Sequence, residues 1–337
     1  MLISIIIPAY NRAEEIDELL DSFSKQEKKN FEIIIVDDGS TDNTKDIVKS
    51  YQSRGMAIRY FYQQNKGPGP ARNNGMKKAN GDVFVFIDSD CTVPNDYTKN
   101  LERHLTSENI DAYGGPDTYR EDFPPLLKAI NYTMTSFLGT GGTRGTTGKS
   151  VAKYYPRSFN MGIRKEVYKK IGGMNNLRHG QDMEFSNRIY NAGFNVKFLP
   201  DVFVYHKRRT SMRRFFKQIF NWGVTRNNLG RIDKEMMKFV HFLPSIVILT
   251  MLIIIILSIL SKFFYPVLLS VGLVLIVLLI AFIQSAKKYH SVYVGVLSAF
   301  MLIWQVIAYG LGFITGFIKS IFTKQGEIKG FTKKYYQ

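Results

Sequence analysis

The chain has 337 residues, 45% of them hydrophobic and 22% charged, enough for two or three folded units of ordinary globular composition. Its formal charge of +17 is unevenly spread: residues 1–205 hold 27 Lys and Arg against 25 Asp and Glu, whereas 206–238 holds ten against two. Residues 239–318 hold three Lys and no acid, and 319–337 hold five Lys and one Glu. The basic excess borders the most apolar stretch, which excludes a nucleic-acid binder and points to a membrane surface.

From the N-terminus, Ile3–Pro8 and Phe31–Val36 read as buried strands, with Ile16, Leu19, Leu20 and Phe23 forming one apolar helical face between them. Two further strands are expected at Ile58–Gln63 and Asp82–Ile87, and helices at Ala71–Ala79 and Asp96–Ser107. Short apolar strands alternating with helices give an α/β fold with a mostly parallel sheet. No basic n-region precedes the first apolar run, which ends at Pro8, so no secretory signal is read and residues 1–205 are expected in the cytosol. The lone cysteine, Cys91, excludes an intrachain disulfide and reads as a small buried residue.

Ligands of such sheets bind beyond the carboxyl ends of the strands. Those ends carry Ala9-Tyr10-Asn11, Asp37-Asp38-Gly39-Ser40 and Asp88-Ser89-Asp90, so carboxylates gather on one rim. Close carboxylates repel by roughly a few kcal/mol per pair at low effective dielectric unless a cation compensates them. Asp88 and Asp90 lie two apart and share a side of a regular strand, and oxygen ligands of this kind suit Mg²⁺ or Mn²⁺ carrying a diphosphate.

Further along, Val202–Tyr205 reads as a strand ending at His206, followed by Lys207-Arg208-Arg209. Phe215, Phe216, Phe220 and Trp222 interleave with Arg213, Arg214 and Lys217, the pattern of an amphipathic helix lying on a membrane. Three apolar runs follow, Phe239–Leu260, Phe263–Ile283 and Ser291–Ile318, each near the 30 Å needed to span hydrocarbon. Three spans from a cytosolic domain would place the Lys-rich tail 319–337 outside, against the positive-inside rule. The reading is therefore two spanning helices, with the third segment bent at Gly310, Gly312 and Gly316 or lying in the interface and returning the tail to the cytoplasm. Gly148-Lys149-Ser150 mimics the end of a phosphate-binding loop, but Thr143 stands where that loop needs Gly and no strand feeds it. The five Gly and four Thr of Gly139–Gly148 read as a loop over the acceptor site.

Taken together, Ser4-Ile-Ile-Ile-Pro-Ala-Tyr-Asn11, Val36-Asp-Asp-Gly-Ser-Thr-Asp42, Gly67-Pro-Gly-Pro-Ala-Arg-Asn-Asn-Gly75, Ile87-Asp-Ser-Asp90, Asn160-Met-Gly162, Gly172-Gly173 and Gly180-Gln-Asp-Met-Glu-Phe-Ser-Asn-Arg188 resemble the family 2 glycosyltransferases over roughly residues 1–225. The resemblance implies a GT-A fold, with a nucleotide-sugar half at 1–110 and an acceptor half at 111–205, then an interface segment 206–238, a membrane region 239–318 and a basic tail. It implies inverting transfer of a sugar from a UDP- or GDP-linked donor. By the same resemblance Pro8, Ala9 and Tyr10 line the base site, Asp38 accepts from the base, and Asp37 holds the loop. Arg72, Asp88, Ser89 and Asp90 would meet the diphosphate, with Asp88, Asp90 and His206 as Mn²⁺ or Mg²⁺ ligands.

Asp182 falls at the place of the family's catalytic base, with Gln181 replacing the usual Glu before it. Glu184 and Arg188, four apart on the same helix, read as a structural ion pair. Gln181, Arg208, Arg209, Gln218 and Trp222 are candidate acceptor or diphosphate contacts. Gln218-Ile-Phe-Asn-Trp222 resembles the Gln-x-x-Arg-Trp motif of processive polysaccharide synthases, but Asn221 stands where the arginine would be, which weighs against processivity. The implied enzyme sits in the cytoplasmic membrane facing the cytosol, acts on a membrane-associated, lipid-linked saccharide acceptor, contacts membrane lipids and could self-associate through its helices. Alternatives are a polyprenyl-phosphate glycosyltransferase, a processive synthase and an inactive scaffold; a transporter is disfavoured because the apolar segments hold no acid.

Overall fold

The computed structural model describes residues 1–141, 154–207, 211–323 and 326–331. The chain runs β1 (Ile3–Ala9), α1 (Ala13–Ser24), β2 (Phe31–Asp37), α2 (Thr44–Ser53), β3 (Ile58–Tyr62), α3 (Pro68–Lys78), β4 (Val83–Ile87), β5 (Cys91–Thr92), α4 (Tyr97–Ser107), β6 (Ala112–Gly114), β7 (Asp117–Thr118), α5 (Pro125–Thr135) and α6 (Phe137–Thr140). It continues through β8 (Asn160–Arg164), α7 (Lys165–Ile171), α8 (Gln181–Asn191), β9 (Val196–Phe198), β10 (Val204–His206), α9 (Met212–Ile232), α10 (Leu243–Ser261), α11 (Tyr265–Tyr289) and α12 (Val292–Phe322). The expected strands and helices of the first hundred residues are present, and α2 is an addition whose short apolar face, Val48 and Tyr51, gave too weak a period to read.

Seven strands form one mixed sheet in the order β3-β2-β1-β4-β8-β6-β9, so the sheet is continuous across position 110. β1 pairs in parallel with β2 and β4, and β8 is antiparallel to β4 and β6. The period of two along each strand splits the core. Ile3, Ile5, Ile7, Ile33, Ile35, Val83 and Val85 face α1, α2 and α4, while Ile6, Ile34, Val36, Phe84 and Phe86 face α3, α7 and α8. Each such side chain withdraws from water at a gain of about 1.5–3 kcal/mol. Gly75 lets α3 lie against β1, because a Cβ there would stand 2.4 Å from Ile6 Cγ2.

A small second sheet, in the order β5-β10-β7, closes the rim beyond β4. Its antiparallel register places His206 opposite Cys91, and the parallel partner brings Asp117 opposite Val204. His206 is thus inside the strand that the sequence reading ended at Tyr205.

Among the described residues three helices are long and apolar enough to cross a membrane, α10, α11 and α12. They differ in burial: 11% and 6% of the apolar windows of α10 and α11 are covered, against 44% for α12. α12 packs along α5 and α9. Gln305 Nε2 donates to Gly139 O at 2.7 Å, Trp304 Nε1 to Met212 O at 3.2 Å, and Asn227 Nδ2 to Phe313 O at 3.1 Å. The helix is continuous through its glycines. A Cβ on Gly312 would stand 2.1 Å from Phe220 O, and one on Gly223 would stand 2.3 Å from Tyr309 O, so these glycines let α9 and α12 approach closely.

α10 and α11 form a hairpin whose two ends meet α12, through Ser245 Oγ donating to Gly310 O at 3.1 Å and the Ser285 and Ser298 hydroxyls 2.6 Å apart. After α12 the chain returns along α9. Asn228 exchanges two hydrogen bonds with Ile328, Asn221 Oδ1 accepts from Phe331 N at 2.9 Å, and the Glu327 carboxylate accepts from Arg178 N at 3.0 Å. Residues 326–331 are therefore a strap across α8's approach and α9.

Candidate active site

At the end of β2, Asp37 and Asp38 do different work. Asp37 accepts from Ser40 N at 2.7 Å and from the Tyr60 hydroxyl, closing the turn as expected. Asp38 is fully buried and accepts from Gln63 Nε2 at 2.6 Å, Lys66 N at 2.9 Å and Gly67 N at 2.7 Å. Burial pushes its pKa up, against the pull of these donors. Asp38 thereby fixes the loop that turns, at Gly67 with φ +97°, into α3. Ala9 is likewise buried in the core at 1% exposure, and Pro8 is buried in β1 paired with Val36. Tyr10 alone of that trio is partly exposed at the strand's carboxyl end.

Arg72, one turn into α3, is 4% exposed and makes an ion pair with Asp88. Its Nε has no partner among the described residues, and neither has the buried Gln181 Nε2. Gln181 packs on Gly69, where a Cβ would stand 2.5 Å from its amide, so it joins the helix bearing Asp182 to the donor loop. Gln181, expected at the acceptor or the diphosphate, is buried against Gly69 and does not line the cavity shared by Asp88 and Asp182. An unsatisfied buried donor on the arginine that pairs with Asp88 favours anionic oxygen at this rim.

Asp88, Ser89 and Asp90 are partly exposed just past β4. His206 Nε2 lies 3.2 Å from Asp90 Oδ1, and its Nδ1 lies 3.3 Å from Asp117 Oδ2. Burial alone would lower the His206 pKa, but the Asp90 and Asp117 carboxylates raise it to about 9. Ligand atoms of Asp90, Cys91 and His206 fall within 4.8 Å of one another. Desolvation, with Asp90 and Asp88 close by, raises the Cys91 thiol well above its ordinary range. Carboxylate and imidazole donors suit Mn²⁺ or Mg²⁺, which Asp90 and His206, with Asp88 on the same cavity, would hold once the imidazole gives up its proton. Asp117, 1% exposed, fixes the imidazole so that Nε2 faces the carboxylates. The sequence reading missed it because its role depends on a two-residue strand, although a carboxylate after Gly114-Gly115-Pro116 was a signal.

Asp182 stands in the first turn of α8, after Gly180 at φ +79°. Its Oδ1 accepts from Met183 N at 2.9 Å, and the side chain is partly exposed. The Glu184–Arg188 ion pair is present at 2.7 Å, with Arg188 also donating to Ile171 O and Gly173 O. Asn73 on α3 exchanges two 2.8 Å hydrogen bonds with Met174, tying the segment before Asp182 to the donor helix. A cavity of about 200 Å³ is lined by Asp88, Asp90, Asp182, His206, Gln218 and Trp222, so the structure brings metal motif, base and acceptor candidates to one space. Asn221, by contrast, is buried and holds the strap. Arg208, Arg209 and the Gly148-Lys149-Ser150 motif lie outside the described residues, as does most of Gly139–Gly148.

If Asp117 orients His206, Asp117→Asn should weaken Mn²⁺ binding by roughly 10- to 100-fold with the fold intact. Titration of free Mn²⁺ by electron paramagnetic resonance reads this directly, and an unchanged affinity would remove Asp117 from the site.

Residues 4–172 match the model of glycosyl transferase family 2. Glycosyltransferase AglE of Haloferax volcanii is 27% identical over 72% of this chain and 81% of its own length. Poly(ribitol-phosphate) beta-N-acetylglucosaminyltransferase TarS of Staphylococcus aureus is 35% identical over 61% of this chain, a match that spans 35% of TarS. Among solved structures, mannosyltransferase PcManGT from Pyrobaculum calidifontis, in complex with GDP-Man and Mn²⁺, superposes with a TM-score of 0.64 at 17% identity, covering 91% of this chain and 86% of that one. The fold is a GT-A-like mixed-sheet domain with a helical C-terminal region. With the family's motifs gathered around one cavity and its model matching half of the sequence, the chain belongs to glycosyl transferase family 2.

Proposed function

We propose that the protein transfers a sugar with inversion from a UDP- or GDP-linked donor to a lipid-linked saccharide at the cytoplasmic face of a membrane, assisted by Mn²⁺ or Mg²⁺. The observation that carries this reading is the single cavity shared by Asp88, Asp90 and His206 on one side and Asp182, Gln218 and Trp222 on the other. The donor diphosphate would lie at the carboxylate rim, where Arg72 adds positive charge behind Asp88. A divalent ion bound by Asp88, Asp90 and His206 would supply positive charge to the departing diphosphate. Asp182 takes the proton from the acceptor hydroxyl as its oxygen attacks the anomeric carbon from the opposite face. One carboxylate suffices, since the leaving group is itself a stabilised anion.

The acceptor side of the cavity is built by Ile130 and Met134 of α5 and by Gln218 and Trp222 of α9, the two helices on which α12 lies. This supports an acceptor that arrives along a membrane surface. Asn221, committed to the strap, offers no phosphate-directed charge, which supports single transfer over processive synthesis. The relative captured with GDP-Man and Mn²⁺ is consistent with the same donor chemistry. Incubating membranes that contain the protein with labelled nucleotide sugars and extracting the lipids should place label in the lipid fraction. Asp182→Asn should lower that transfer by about 100-fold or more. Near-normal turnover in this variant would move the base elsewhere.

The covered third helix and the returning strap support α10 and α11 as the spanning pair, with α12 as an interfacial platform and the tail on the catalytic side. A cysteine placed by Tyr335→Cys should stay unlabelled by an impermeant thiol reagent on intact cells and label after permeabilisation. Cys91, buried, contributes little background. Strong labelling from outside would establish three spans.

A further inference from the structure

Asp182 and Trp222 border a second chamber of about 120 Å³, whose lining includes none of Asp88, Asp90 and His206. Its wall carries Arg157, Arg226 and Tyr309, with Gly180 at the N-terminal end of α8. Asp182 is the one carboxylate among its lining residues. Arg226 donates to Met236 O at 3.1 Å and lies 3.7 Å from Met183 Sδ, so its charge is held in place without a carboxylate partner among the described residues. The field is felt nearby: His241 is pushed down to about 3 by burial and by the Arg226 and Arg157 guanidinium groups. Two arginines converging on a space with one acid make a site for an anion with several oxygens, which planar guanidinium groups recognise in bidentate fashion.

The position of the chamber says where that anion comes from. Tyr309 precedes Gly310, against which Pro244 and Ile248 of α10 pack, a Cβ there standing 2.5 Å from Ile248 Cδ1. Phe242, just before α10, packs edge-on to Phe313 with ring centroids 4.8 Å apart. The anion site therefore abuts the start of the apolar hairpin, whose Ile246 and Val247 are exposed. We propose that this chamber binds the phosphate or diphosphate group of a prenyl-type lipid carrier, seating the acceptor beside Asp182 while its chain runs along α10. This rests on the proposed membrane-associated acceptor and assigns the residues that would recognise it.

The test uses the full chain in detergent with EDTA present, so that no metal-bridged phosphate site forms at Asp88 and Asp90. The two tryptophans are Trp222 and Trp304, and a Trp304→Phe background leaves Trp222 as the reporter at the chamber wall. Farnesyl diphosphate should change Trp222 emission saturably, with farnesol and inorganic pyrophosphate each at least tenfold weaker. Arg226→Gln and Arg157→Gln should each weaken farnesyl diphosphate at least tenfold, and Arg226→Lys less. Binding of the nucleotide sugar with Mn²⁺ checks that each variant is folded, and either arginine variant that passes decides the matter. Equal binding of farnesol, or Gln variants that titrate like the parent, would overturn the anion site. Pyrophosphate binding as well as farnesyl diphosphate would overturn the lipid carrier. The titration needs no donor and no turnover, so its failure leaves the transfer reaction standing, and loss of transfer with intact titration would indict the reaction alone.

Discussion

The structure depends on the repulsion among carboxylates collected at one end of the sheet. Asp37, Asp38, Asp88 and Asp90 all follow parallel strands, and the protein resolves the conflict in two ways. Asp37 and Asp38 are hydrogen-bonded locally by hydroxyl, amide and backbone donors and so become loop supports. Asp88 and Asp90 stay partly exposed, paired with Arg72 and His206. Only the second pair keeps lone pairs available to a ligand, and that difference in access, more than sequence order, divides scaffold from site.

Much of this was legible in the sequence. The alternation in β1, β2 and β4 and the helical spacing of Ile16, Leu19, Leu20 and Phe23 are local patterns that the core bears out. Asp88, Asp90, Asp182, His206, Gln218 and Trp222, named from motifs, do share one cavity. What was not legible depends on contacts between distant segments. Asp38 resembles a ligand residue, but the Gly67 loop reaches it first. Gln181 was read with Asp182, yet adjacent residues on a helix point about 100° apart, and it faces Gly69. Asp117 gains its role from β10, which lies nearly ninety residues later in the chain. Asn221 appears as a lost arginine until the strap is seen bonded to it.

The membrane region shows how one hydropathy signal can serve two purposes. α10, α11 and α12 are all apolar, but α12 also carries Gly312, Gly316 and Gln305, which seat it against α9 and the α5–α6 segment. Its glycines are packing surfaces on a continuous helix, and the platform they build supports α5 and α9, which supply Ile130, Met134, Gln218 and Trp222 to the cavity. The strap then returns to Arg178, four residues before Asp182. The apolar helices and the segment that leads to Asp182 are therefore mechanically joined through α9, α12 and residues 326–331.

The central claim is that the rim formed by Asp88, Asp90 and His206 is where a metal and a nucleotide sugar are held together. Calorimetric titration of the full chain with UDP- and GDP-linked sugars, with and without Mn²⁺, addresses it most directly when paired with Asp90→Ala. The account predicts that Mn²⁺ strengthens donor binding in the parent and that Asp90→Ala removes this gain while the protein stays folded. Mn²⁺-supported affinity that is unchanged in Asp90→Ala would contradict it.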